Sequence, residues 1–210
     1  MKKESGSMAN ATSSDAMIPG RAALAGRPGI TIAAPDGSNT GLRVEEIAHL
    51  GKLNIRGGKA IASIIKTHTG CDFPPANNKV NSTGARHVVW LGPDETLLLC
   101  EAGLEVKLYR QINAAFADQH AAITNVTDGY CALRLTGGDV RRVLAKGCAL
   151  DLHPNVFGNG ACAQTTLAHA GVTLIAMDTD CFLLLCRTSF APYTLDWLQD
   201  AALEYGFTYA

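Results

Sequence analysis

Charge is scarce in this 210-residue chain. Asp, Glu, Lys and Arg make up 18% of it, against about 25% in ordinary soluble domains. The 18 basic and 19 acidic residues leave a net charge of −1. With no excess of either sign, electrostatic capture of nucleic acid or of an anionic membrane is not expected. Long apolar runs are also missing, and no segment approaches the roughly 20 residues of a membrane-spanning helix. The opening Lys2-Lys3-Glu4 leads into the polar SGSMANATSSDAM, which has no apolar core of secretory type. The seven cysteines are odd in number and no two form a Cys-x-x-Cys pair. That disfavours a disulfide framework and predicts reduced thiols in a cytoplasmic core. The sequons at Asn10, Asn81 and Asn125 then carry no glycan. Apolar residues, by contrast, are plentiful at 47%. They exclude a wholly disordered chain and allow one core or two small joined ones.

The standard catalytic signatures are absent too: no Gly-x-Ser-x-Gly, no His-Glu-x-x-His, no Walker A lysine and no Gly-x-Gly-x-x-Gly. Gly158-Asn159-Gly160 lacks both the third glycine and the preceding strand. Cys148, His153, Cys162 and His169 are the best metal candidates, but their spacing matches no common zinc motif. If residues 162–169 form one strand, the odd separation puts Cys162 and His169 on opposite faces, and the same parity separates Cys181 from Cys186. Cys148 follows Lys146-Gly147 at a helix end, where the dipole disfavours a thiolate. His153, before Pro154, reads as a turn residue. Asp128 is the sole candidate general base and has no evident partner. Trp90 and Trp197 read as anchors of a strand and a helix. No residue is assigned a catalytic, cofactor-binding or metal-binding role, and the chain is expected to bind no cofactor of its own.

What the chain does contain is a repeat. LNIRGG begins at Leu53 and LRLTGG at Leu133, each a short alternating strand running into a Gly-Gly turn. Helical stripes follow, Ile61, Ile64 and Ile65 in one copy and Val140, Val143 and Leu144 in the other. ETLLLC ending at Cys100 matches CFLLLC ending at Cys186, and each precedes a second helix. The stripe of the first is read as Val106, Tyr109, Ile112 and Phe116. That of the second is Leu195, Leu198, Ala202 and Tyr205, with Pro192 near its start. Two α+β halves, residues 42–124 and 125–206, are therefore expected to pack into one duplicated domain over residues 41–210. At the second Gly-Gly turn Asp139 is placed to cap the helix and repel a phosphate. At the first, Lys59 leaves an anion site less excluded.

Residues 1–40 are rich in Ser, Ala, Gly, Pro, Asn and Thr and carry no periodicity. They read as a frayed tail or as an extended N-terminal arm lying on a partner, with Ile30 and Ile32 as contacts.

The run AKGCALDLHP (Ala145–Pro154), followed by CAQTTLAHAGV from Cys162, closely resembles the gamma subunit of heterotetrameric sarcosine oxidase. LGKLNIRGG from Leu50, VVWLGPDETLLL from Val88, VTDGYCALRLTGGDVRRVL from Val126 and RTSFAPYTLDWL from Arg187 extend the likeness over residues 42–206. Thr96 departs from it, standing where a bulky aromatic is expected. The resemblance implies an α+β fold of duplicated ferredoxin-like halves, similar to the folate-binding domain of the glycine-cleavage T protein. It implies a non-catalytic structural subunit of a complex that demethylates sarcosine to glycine and hydrogen peroxide, with methylenetetrahydrofolate formed when tetrahydrofolate is present. FAD, FMN, NAD and zinc are then expected in the other subunits. The implied partners are the alpha, beta and delta chains, chiefly alpha. The alternative is an independent folate-dependent one-carbon transferase of the same fold, and a third reading is a small metal or redox module.

Overall fold

The computed structural model describes residues 20–37, 40–117 and 119–210. In chain order these form β1 (Ile30–Ile32), β2 (Leu42–Glu46), β3 (Gly51–Arg56), α1 (Ala62–Thr69), β4 (Val80–Thr83), β5 (Arg86–Gly92), β6 (Glu95–Cys100) and α2 (Glu105–Phe116). There follow β7 (Ala122–Asn125), β8 (Tyr130–Thr136), α3 (Val140–Ala145), β9 (Cys162–Leu167), β10 (Ala170–Asp178), β11 (Cys181–Arg187), α4 (Ala191–Ala201) and β12 (Phe207–Tyr209).

The strands make two sheets, ordered β1-β12-β2-β8-β11-β10-β9 and β4-β5-β6-β3-β7. Every pairing is antiparallel except β12 with β2. The sheets face each other across Val89, Leu97 and Leu99 on one side and Ala132, Cys162, Ile175, Leu183 and Leu185 on the other. Helices α1 and α2 cover the outer face of the smaller sheet, packing on Leu53, Ile55 and Leu98. Helices α3 and α4 cover that of the larger, packing on Leu133, Leu135, Phe182 and Leu184. The architecture is thus a mixed α+β stack of helices, sheet, sheet, helices. It accounts for the Leu97–Cys100 and Phe182–Cys186 runs: both faces of β6 and β11 are dry, so successive residues are apolar instead of alternating.

The strand–glycine–helix units form where the repeat predicts. Gly57 has φ of 146° and Gly137 of 133°. A Cβ on Gly137 would lie 2.2 Å from the Gly41 carbonyl oxygen, so this turn requires glycine. Two pairings were not legible. β2 leads into β3 yet pairs with β8 in the other sheet, Val44 opposite Leu135. β7 leads into β8 yet pairs with β3, Ile123 opposite Ile55. Each sheet is completed by the strand that introduces the other sheet's first strand, so Leu42–Glu46 belongs spatially with residues 130–209.

Three local expectations need correction. The buried face of α2 is Leu108, Ile112 and Phe116, with Tyr109 beside it, while Val106 is 43% exposed. Starting the i, i+4 series from Leu104 gives the observed phase. Asp139 does occupy the N-cap position of α3, but its carboxylate caps no backbone amide and instead meets Arg142 Nη1 at 2.9 Å. Residues 162–169 are not one strand: β9 ends at Leu167, and Ala168, with φ of 50°, turns the chain into β10.

The arm differs most. Residues 20–37 do not extend away from the body. Leu24 is 2% exposed and sits in the core under the larger sheet. β1 adds to that sheet along β12, Ile30 opposite Tyr209. The expected frayed tail or arm on a partner is therefore corrected for this stretch, which packs on the chain's own body. One buried leucine and a three-residue strand are too short for periodicity to register. Residues 1–19 lie outside the described residues.

Candidate functional site

The loops and strand ends that bring β2, β3 and β8 together enclose a cavity of about 400 Å³. Its walls hold Arg21, Glu46, His49, Lys52, Asp128 and Cys131. The pleat of β3 turns Leu53 and Ile55 toward the helices and Lys52 the other way. Lys52 is 2% exposed. Its Nζ donates to the Leu50 carbonyl at 2.7 Å and the Thr127 carbonyl at 3.2 Å. Its backbone N–H donates to Thr127 Oγ1 at 3.0 Å, and its carbonyl accepts from the Val126 N–H at 2.9 Å. Burial pushes the ammonium below its ordinary value, and the carboxylates of Asp128, Glu105 and Glu46 oppose that shift.

Glu46 ends β2 and is equally engaged. Its carboxylate accepts the backbone N–H of Ala23 at 2.8 Å and of Leu24 at 3.1 Å, holding the turn of residues 23–26 on the body. Cys131 Sγ donates to Glu46 Oε1 at 3.6 Å. The Cys131 thiol is pushed up, first by its hydrogen bond with Cys186, then by burial and by Glu46. Cys186 is lowered by the same hydrogen bond. Asp128 lies in the helical turn Thr127–Gly129, exposed at the cavity rim, and its carbonyl accepts from Thr188 Oγ1 at 2.7 Å. The site therefore brings a buried ammonium and a half-buried carboxylate to one cavity, each engaged by the chain's own backbone.

Residues 56–204 match the profile of the Sarcosine oxidase, gamma subunit family. The chain belongs to this family. A sarcosine oxidase subunit gamma from Corynebacterium sp. (strain P-1) is 32% identical over 180 residues, covering 82% of this chain and 86% of the relative. The subunit gamma of Corynebacterium sp. (strain U-96) is 29% identical over 94% of this chain and 97% of its own length. Among solved structures, a chain of the heterotetrameric sarcosine oxidase from Corynebacterium sp. U-96, in complex with pyrrole 2-carboxylate, superposes with a TM-score of 0.74. Its identity is 28%, over 80% of this chain and 87% of that one. The glycine cleavage system aminomethyltransferase T from Bartonella henselae shares the fold at 11% identity and a TM-score of 0.59, over 85% of this chain and 52% of that one.

For a member of this family, the four metal candidates fall in separate places. Cys148 packs in the core under α3 and α4, with Sγ 3.8 Å from Thr165 Oγ1. Cys162 lies on the opposite face of the same sheet, donating to the Trp90 carbonyl at 3.5 Å. His153 is exposed and its Nδ1 accepts the Asn155 N–H at 3.2 Å, a turn residue as expected. His169 stands at the β9–β10 hairpin, 6.5 Å from the Tyr193 ring. Among the described residues no three His, Cys, Asp or Glu side chains converge to hold a metal, and no helix is long and apolar enough to cross a membrane. Trp197 packs its ring on Gly147 and Trp90 packs between the sheets. Thr96 is 1% exposed, and its hydroxyl has no hydrogen-bond partner among the described residues. Sequence reading missed Lys52, Glu46 and the Cys131–Cys186 pair. A lysine between Gly51 and Leu53 reads as the polar side of a strand, and only tertiary packing buries it.

Proposed function

We propose that this chain is a non-catalytic structural subunit of a heterotetrameric sarcosine oxidase. The observation that carries the reading is the use of the charged cavity groups. The buried Lys52 spends its ammonium hydrogen bonds on backbone carbonyls, and the half-buried Glu46 accepts two backbone N–H groups and the Cys131 thiol. A catalytic acid or base needs reach to a substrate proton, and a nucleophile needs an adjacent base. Family membership and the likeness to a chain of a heterotetrameric enzyme supply the assembly. In this reading the partners are the alpha, beta and delta subunits, chiefly alpha through its T-protein-like domain. FAD, FMN, NAD and zinc reside in those partners, and tetrahydrofolate is a co-substrate of the complex. The body is a duplication of ferredoxin-like halves, supported by the shared strand order and by the equivalent Gly57 and Gly137 turns. Its setting is cytoplasmic, which the seven unpaired cysteines support.

Co-expression with the other three subunits should return a sarcosine-oxidising complex. The isolated chain with added flavin should turn over none. Sarcosine oxidation by this chain alone would overturn the reading.

The second reading, an independent folate-dependent transferase, draws on Asp128 at the rim of the cavity and on the fold shared with aminomethyltransferase T. Calorimetric titration of the isolated chain with tetrahydrofolate separates the two. Stoichiometric binding abolished by Asp128→Asn would favour the transferase.

A further inference from the structure

Cys131 and Cys186 stand directly opposite each other on the antiparallel pair β8–β11, and both belong to the core packed under α3 and α4. Farther along the same ladder the Gly137 N–H donates to the Asp180 carbonyl at 3.2 Å. Counting back by twos places Cys131–Cys186 among the hydrogen-bonded pairs, whose Cα atoms lie about 5.5 Å apart. A disulfide spans Cα separations of about 4.4–6.8 Å. Cys131 lines the Lys52 cavity, and Cys186 is fully buried behind it. Other buried cysteines have unlike neighbours: Cys71 donates to the Arg86 carbonyl, Cys162 to the Trp90 carbonyl, and Cys148 faces Thr165.

We propose that Cys131 and Cys186 are a redox-active dithiol, oxidised to a disulfide by a small hydroperoxide entering through the Lys52 cavity. As a peroxide oxygen bonds to Cys131 Sγ, the O–O bond breaks. The thiol proton passes by way of Glu46 Oε1, 3.6 Å away, to the departing hydroxide, which leaves as water. Cys186 Sγ then attacks the sulfenic sulfur: the S–S bond forms, the S–O bond breaks, and the second thiol proton leaves with hydroxide as a second water. Two thiols and one peroxide give one disulfide and two waters, with two electrons passing to the peroxide. Across a hydrogen-bonded pair the Cβ atoms start farther apart than a relaxed disulfide prefers. The bridge is therefore under tension and open to reduction by a dithiol.

The test exposes the purified full-length chain to hydrogen peroxide, alkylates the remaining thiols, and maps unreduced peptides by mass spectrometry. The expected result is a Cys131–Cys186 linked peptide, with two of the seven thiols lost and both restored by dithiothreitol. A Cys186→Ala variant with an unchanged circular dichroism spectrum should accumulate a dimedone-trapped sulfenic acid at Cys131 that the parent chain does not. If the variant does not fold, the parent peptide map decides alone. Cys131 and Cys186 both remaining alkylatable, while the half-exposed Cys181 is oxidised, would overturn the proposal. So would a stable sulfinic acid at Cys131 beside a free Cys186.

Discussion

The guanidinium of Arg27 holds both carboxylate oxygens of Asp196, Nη1 to Oδ1 at 2.9 Å and Nη2 to Oδ2 at 3.0 Å. It joins the N-terminal turn to α4 across the outside of the molecule. Both side chains are well exposed, 40% and 57%, so the pair itself contributes at most about 1 kcal/mol. The buried Leu24 beside it matters more. Leu24→Ala should lower stability by about 2–4 kcal/mol, whereas Arg27→Ala should cost less than about 1 kcal/mol. Urea midpoints of the two variants check this ranking. Equal effects would show that the turn is not part of the folded body.

The phase of α2 gives a second contrast. Leu108→Ala should cost about 2–5 kcal/mol, because it empties a core site facing Ile65 and Phe116 in the same cluster. Val106→Lys, on the solvent side, should stay within about 0.5 kcal/mol. Thermal or urea unfolding of both variants is sufficient, and the reverse order would restore the stripe inferred from sequence.

Lys52 links burial to pH. Its ordinary value is 10.5, and burial holds the folded-state value below that. Below the lowered value the folded chain carries the full cost of a buried ammonium. As pH rises from there toward 10.5, the folded state releases the proton before the unfolded state does, and stability rises. Relative to Lys52→Met, the parent chain should therefore gain stability as pH increases through this window. Paired urea titrations across the alkaline range read the difference directly, and a difference that falls with pH contradicts the assignment.

Thr96 carries an unpaired hydroxyl into the core. Thr96→Val keeps nearly the same shape and removes the unsatisfied group, so it should stabilise the fold by about 1 kcal/mol. A lowered melting temperature would mean that the hydroxyl has a partner in solution.

Sequence reading reached the features that repeat over short distances. Leu53 and Ile55 before Gly57, and Leu133 and Leu135 before Gly137, announce strand, turn and helix by spacing alone. The burial of Val140, Val143 and Leu144 follows from the same rule. What it did not reach depends on distant partners. Nothing local to Leu42–Glu46 says that it pairs with β8, and nothing in β7 says that it pairs with β3. The phase of α2 was misread because Val106 is as apolar as Leu108, and only the position of the sheet beneath separates them. The candidate cavity was hidden for a like reason. Lys52, Glu46, Asp128 and Cys131 are ordinary residues in sequence, and two distant chain segments must meet before these side chains share one cavity.

The crossed strands set an order on synthesis. Once β7 has emerged from the ribosome, the smaller sheet has all five of its strands. β2 must wait for β8, whose Thr136 pairs with Arg43, about 90 residues farther along the chain. At roughly 5–20 residues per second, that leaves Leu42 and Val44 unpaired for roughly 5–18 s. β1 waits longer still, because Phe207–Tyr209 complete its edge. A nascent chain stalled after β7 would thus expose an apolar strand with open hydrogen-bonding edges, a ready target for chaperones or for pairing with a neighbouring nascent chain.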